Sequence, residues 1–150
     1  MNAGDTAWVL IATALVLMMT PALAFFYGGM VRKKNILSTL NLSFIVMAVI
    51  SIEWILFGYS LVFAPTVGGL IGNLNFVGFN GVGATPNDLY APGVPHIAYA
   101  AYQMTFAIIT PALISGAFVE RVRFKTFLVF IVLWATFVYG PVAHWVWGIG

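Results

Sequence analysis

The stretch Ile36–Phe63, ILSTLNLSFIVMAVISIEWILFGYSLVF, decides the fold. A bilayer hydrocarbon core about 30 Å thick takes about 20 apolar residues to cross as a helix. This stretch is longer than that and carries one charge, Glu53. Working outward, three further runs meet the same requirement without any charged side chain: Thr6–Tyr27 before it, and Ile97–Val119 and Thr126–Trp147 after it. Barrel strands need only about 10 residues of alternating character, so continuous runs of this length read as helices. The expected fold is an all-α integral membrane bundle with four transmembrane helices, spanning residues 6–27, 36–63, 97–119 and 126–147.

Composition agrees. Of 150 residues, 62% are hydrophobic and 7% charged, with mean hydropathy +1.02, whereas a soluble domain carries roughly 25% charged residues. A free-standing soluble domain and a disordered chain are both excluded. The absence of cysteine removes thiol chemistry and Cys-based metal sites. A net charge of +2 is too small for nucleic-acid binding.

All six basic residues lie in two short connections: Arg32, Lys33 and Lys34, then Arg121, Arg123 and Lys125. Basic connections stay on the cytoplasmic side, which predicts a cytoplasmic-membrane protein with its N-terminus outside. The long connection, residues 64–95, is then exterior, with Asp88 its sole charge and Leu70, Ile71, Phe76 and Phe79 suited to pack as a lid or to contact a partner. The sequence stops at Gly150 directly after an apolar span, so residues 1–150 are expected to be the first part of a longer membrane domain.

Few groups are available for chemistry. Convergent acid, base and nucleophile are missing, so an enzyme, a cofactor or a metal centre is not expected. Glu53 is the one acid deep within a span, where a carboxylate must be protonated, paired or wet. It reads either as a proton or cation site or as an acid bonded to a neighbouring helix. Glu120 is expected to pair locally with Arg121 and Arg123. His96 and His144, near outer span ends, read as hydrogen-bonding residues. Trp8, Tyr27, Tyr90 and Trp145 read as interface anchors. Tyr102 and Phe106, one turn apart, and Trp147 suit either helix packing or a cation held on π faces. Ala24, Gly28, Ala112 and Gly116 permit close helix approach.

Five motifs resemble the ammonium transporters of the Amt/Mep/Rh family, in that family's order and at similar spacing. They are Phe25-Phe26-Tyr27-Gly28-Gly29 with Arg32-Lys33-Lys34-Asn35; Gly58-Tyr59-Ser60-Leu61; Tyr102-Gln103-Met104-Thr105-Phe106-Ala107; Glu120-Arg121-Val122-Arg123-Phe124; and Ala143-His144-Trp145-Val146-Trp147-Gly148. The resemblance implies an eleven-span protein with an exterior N-terminus, assembled as a homotrimer with one hydrophobic pore per subunit. It also implies ammonium or methylammonium as substrate and a cytoplasmic regulator of the P-II type. It places Trp147, Phe106 and Tyr102 at the outer recruitment site, with Leu23, Phe26, Tyr27 and Leu113 lining the pore below. The family's paired pore histidines fall beyond residue 150, and Glu53 stands where the family has an apolar or neutral residue. Two alternatives stay open beside ammonium transport: a four-span proton-coupled exporter using Glu53, and a sensor that binds ammonium without moving it.

Overall fold

The computed structural model describes residues 1–149. Helix α1 covers Ala3–Met30 and is capped by Asn2, whose side-chain oxygen accepts from Gly4 N at 2.9 Å and Asp5 N at 3.3 Å. The cap satisfies orphan amides, and Asp5 complements the positive end of the helix dipole. α1 runs through Pro21 without a break. A 3-10 turn, Lys33–Asn35, leads into α2 (Ile36–Glu53), a π-helical turn (Trp54–Gly58) and α3 (Tyr59–Phe63), together one continuous span. The third span is α4 (His96–Phe118). The fourth joins α5 (Phe124–Trp134), a second π-helical turn (Ala135–Tyr139) and α6 (Gly140–Trp147).

Among the described residues, four helices are long and apolar enough to cross a membrane, as expected, with shifted ends. The first begins earlier because Asn2 supplies a cap, and the third stops at Phe118 because Val119 turns extended.

Residues 64–95 form a folded lid. Two small antiparallel ladders, β1 (Thr66–Val67) with β2 (Ile71–Gly72) and β3 (Pro86–Asn87) with β4 (Ala91–Pro95), flank a short 3-10 turn. Phe76 and Phe79 pack as the sequence suggests, their rings 5.7 and 5.6 Å from that of Tyr59. Leu70 does not pack: its side chain is exposed and its backbone alone is bonded, the amide donating to the Val67 carbonyl at 3.2 Å and the carbonyl accepting from Trp145 Nε1 at 2.9 Å. Gly72 is pressed against the end of the second span, where a Cβ would collide with the carbonyls of Ser60, Leu61 and Ala64.

The core lies between the second, third and fourth spans. Val46, Ile50 and Trp54 meet Ala107, Ile108 and Ala112, with Phe127, Ile131 and Ala135 closing the far side. The Trp54 indole N–H donates to the Ala100 carbonyl at 3.1 Å, so its polar atom is satisfied inside the apolar core. α1 packs on α2 and α4 through its small residues, with Ala24 and Gly28 buried. The close approach is tightest at Gly116, where a Cβ would lie 2.6 Å from the Tyr27 ring.

The two ends of the bundle differ. Asn2 N donates to the Gly93 carbonyl at 2.7 Å, which ties the N-terminus to the lid. The connections bearing the six basic residues meet at the other end through Glu120. The expected pairing of Glu120 with Arg121 and Arg123 is not what forms. Its backbone sits at φ +64°, in the left-handed region, and its carboxylate accepts from Asn35 Nδ2 at 2.6 Å and Arg32 N at 3.3 Å. A turn closed by Arg121 N on the Phe118 carbonyl carries the side chain back to the first connection. Three expected anchors are also bonded into the protein. Tyr27 donates to the Leu113 carbonyl at 2.9 Å, Tyr90 to the Phe63 carbonyl at 3.0 Å, and Trp145 to Leu70. Trp8 is 75% exposed.

Candidate functional site

Three rings from two spans come together near the lid. Tyr102 and Phe106 sit one turn apart on α4, so their side chains share a face. Their ring centroids are 5.1 Å apart and nearly perpendicular, at 84°. Trp147, the last residue of α6, brings its ring to 6.2 Å from Phe106, at 63°. Edge-to-face contacts of this kind are favourable and leave π faces uncovered by their partners. Trp147 remains 42% exposed.

The end of α6 is clamped in place. His144 Nδ1 lies 2.7 Å from the Val62 carbonyl, which only accepts, so this nitrogen carries the hydrogen. In neutral His144, Nε2 then accepts the Thr66 hydroxyl at 3.0 Å. Trp145 holds the β1–β2 ladder through Leu70, and Gly148 N closes the helix on the His144 carbonyl at 2.8 Å. A side chain at Gly148 would meet His144 Nδ1 at 2.6 Å, so only glycine fits beside the clamp. His96 is bonded in the same manner, its Nε2 2.6 Å from the Tyr59 hydroxyl. Both histidines are thus committed to holding the lid end of the bundle.

Below the rings, α4 presents one continuous stripe. Tyr102, Phe106, Thr110 and Leu113 recur at steps of four, four and three, which is one helix face. At 1.5 Å per residue the stripe runs about 16 Å. Pro111 lacks an N–H and leaves the Ala107 carbonyl without its helical donor, while the Thr110 hydroxyl donates to the Phe106 carbonyl at 2.7 Å. At the far end, Tyr27 reaches across from α1 to the Leu113 carbonyl. Phe26 and Leu113 are 62% and 52% exposed, an apolar surface beside the Tyr27 hydroxyl. Leu23, one turn before Phe26 and Tyr27 on α1, is half-buried and packs against the core.

Glu53 belongs to neither group. It is buried between the second and fourth spans, and its Oε1 lies 2.7 Å from Thr136 Oγ1. Thr136 is the partner that sequence reading missed. It is 83 positions away, and an isolated threonine in an apolar run gives no signal of its contact. Among the described residues, no three His, Asp or Glu side chains converge as metal ligands would.

Comparison with known proteins places the chain. The model of the Ammonium Transporter Family matches residues 7–150. An ammonium transporter of Bacillus subtilis is 55% identical over 150 residues, covering 100% of this chain and 37% of that protein. An ammonium transporter of Mycobacterium bovis is 48% identical over 159 residues, covering 97% of this chain and 33% of that protein. The crystal structure of Saccharomyces cerevisiae Mep2 superposes with a TM-score of 0.88 at 40% identity, covering 99% of this chain and 32% of that one. The chain thus spans about a third of the length of these relatives. With its four spans, its five motifs and this agreement, the chain belongs to the Ammonium Transporter Family.

Proposed function

We propose that this chain is the N-terminal part of a membrane transporter for ammonium, which also accepts methylammonium. The substrate is recruited from outside at Trp147, Phe106 and Tyr102 and passes inward along Leu23, Phe26, Tyr27 and Leu113. The observation that carries the reading is the contact between Phe106 and Trp147, which joins two spans in one aromatic surface at the lid end. Ammonium is a compact cation whose size alone separates it poorly from potassium. An aromatic face attracts it by about 0.5–2 kcal/mol per ring, depending on how far it is desolvated. The apolar stripe below opposes an ion that keeps its water and favours passage of a neutral molecule.

The six basic residues gathered at the opposite end support a cytoplasmic position for that end, with the N-terminus and lid outside. The exposed apolar face of α1, which includes Leu10, Ile11, Leu15 and Met18, suits packing against lipid, further spans or the other subunits of a homotrimer. A P-II type regulator would dock at the basic end. The test is uptake of labelled methylammonium into vesicles holding the complete protein. Saturable uptake that ammonium competes away supports transport; binding without uptake supports a sensor and overturns it.

A further inference from the structure

The second and fourth spans each depart from α-helical geometry once, at Trp54–Gly58 and Ala135–Tyr139. Residues of both π turns, Thr136 among them, line the same small cavity together with Glu53 and Gly140. Turns of this kind inside α-helices are frequent at functional sites.

Two polar side chains here are more than nine-tenths buried, Glu53 at 7% exposure and Tyr139 at 9%. Glu53 Oε2 and the Tyr139 hydroxyl have no hydrogen-bond partner among the described residues. The rest of the lining is largely apolar, with Ile50, Leu61, Val62 and Ala107. A buried polar atom left unpaired costs about 1–3 kcal/mol. The cavity gives the centre of a water molecule about 10 Å³ of room, which suits one water and nothing much larger.

Hydrogen counting points to a neutral acid. Thr136 Oγ1 lies 2.7 Å from Glu53 Oε1 and 2.8 Å from the Val132 carbonyl. A hydroxyl has one hydrogen, and a carbonyl only accepts. Unless that hydrogen is shared between the two acceptors, both contacts are hydrogen bonds when Thr136 donates to Val132 and accepts from a proton on Oε1. Oε2 is then the carbonyl oxygen of a neutral acid, an unpaired acceptor on one residue of the cavity lining, as the Tyr139 hydroxyl is an unpaired group on another.

We propose that Glu53 and Tyr139 form a buried site for one water molecule, which donates to Oε2 of a neutral Glu53 and accepts from the Tyr139 hydroxyl. The site holds a proton between the second and fourth spans, apart from the aromatic surface, and stands whether or not the transport reading does. The outward chain Oε2, water, Tyr139 and the inward chain Oε1, Thr136, Val132 leave no polar atom of the group unpaired.

Infrared spectra of the complete protein in lipid nanodiscs at neutral pH test this. Glu53→Gln preserves the shape and the ability to donate to Thr136, so it keeps the fold while removing the acid. The wild type is expected to show a carboxylic-acid C=O band that Glu53→Gln abolishes and Tyr139→Phe shifts in frequency without loss. High-resolution density for the complete protein should show one water between Oε2 and the Tyr139 hydroxyl. Only ionised carboxylate bands, an acid band unmoved by Tyr139→Phe, or a cation or side chain in place of the water would each overturn the proposal.

Discussion

Glu120 Oε1 accepts from Asn35 Nδ2 at 2.6 Å, across 85 residues of chain. The bond joins the two short connections that carry every basic residue of the sequence, and the Arg32 amide adds a second donor to the same oxygen. The carboxylate is thereby shared between the first and third spans at the basic end of the bundle.

This bond makes part of the stability acid-sensitive. The Asn35 hydrogen bond, then the Arg32 amide, hold the Glu120 carboxyl below its ordinary range, with the charges of Arg32 and Lys34 adding to the effect. A group depressed in the folded state stabilises the fold above its unfolded value, and that contribution disappears as pH falls through the folded value. Melting of the complete protein in detergent should therefore lose more between about pH 6 and pH 3 for the wild type than for Glu120→Gln, which cannot titrate. Equal losses would remove Glu120 from the account.

Gly116 tests the approach of α4 to α1. A methyl group there would lie 2.6 Å from the Tyr27 ring, whereas one at Gly29 meets nothing within 4 Å. Gly116→Ala should displace Tyr27, break its bond to Leu113 and cost roughly 1–3 kcal/mol, the usual range for overpacking. Gly29→Ala serves as the control and should melt as the wild type does. Matching melting curves for all three would contradict the packing described here.

Ser60 tests the lid. Its hydroxyl donates to the Asn73 carbonyl at 2.7 Å and accepts from Phe76 N at 3.0 Å. Ser60→Ala removes both bonds, worth about 1 kcal/mol each. Chymotrypsin, which cuts at aromatic residues, should then cleave within residues 64–95 several-fold faster in the variant. Unchanged cleavage would mean the lid is held elsewhere.

Thr136→Val keeps the volume near Glu53 and removes the hydroxyl. Glu53 then loses the partner of Oε1, and the expected loss of stability is about 1–3 kcal/mol, the range for a buried polar atom left unpaired. Thr136→Ser, which restores the hydroxyl, should recover most of it. Failure of Thr136→Ser to recover would assign the effect to packing alone.

The four spans were legible because each is an apolar run longer than the bilayer demands, and the structure moves their ends by only a few residues. The π turns were not, since WILFG and ATFVY read as ordinary apolar helix and their widening depends on how the second and fourth spans meet. Tyr102 and Phe106 could be paired from spacing within one helix. The neighbourhood of Phe106 and Trp147, 41 positions apart in the sequence, came only from resemblance to a family. Glu120 was misassigned because adjacent opposite charges suggest an ion pair, while its left-handed backbone sends the carboxylate elsewhere.

The recruitment site is the central claim, and the concentration dependence of methylammonium uptake by the complete protein in vesicles tests it most directly. Trp147→Leu keeps an apolar side chain but removes a π face, worth about 0.5–2 kcal/mol or roughly two- to thirty-fold in affinity. Trp8→Leu, at an exposed tryptophan near the start of the first span, is the control. The account predicts a several-fold higher half-saturating concentration for Trp147→Leu and none for Trp8→Leu. Identical saturation curves for Trp147→Leu and the wild type would contradict it.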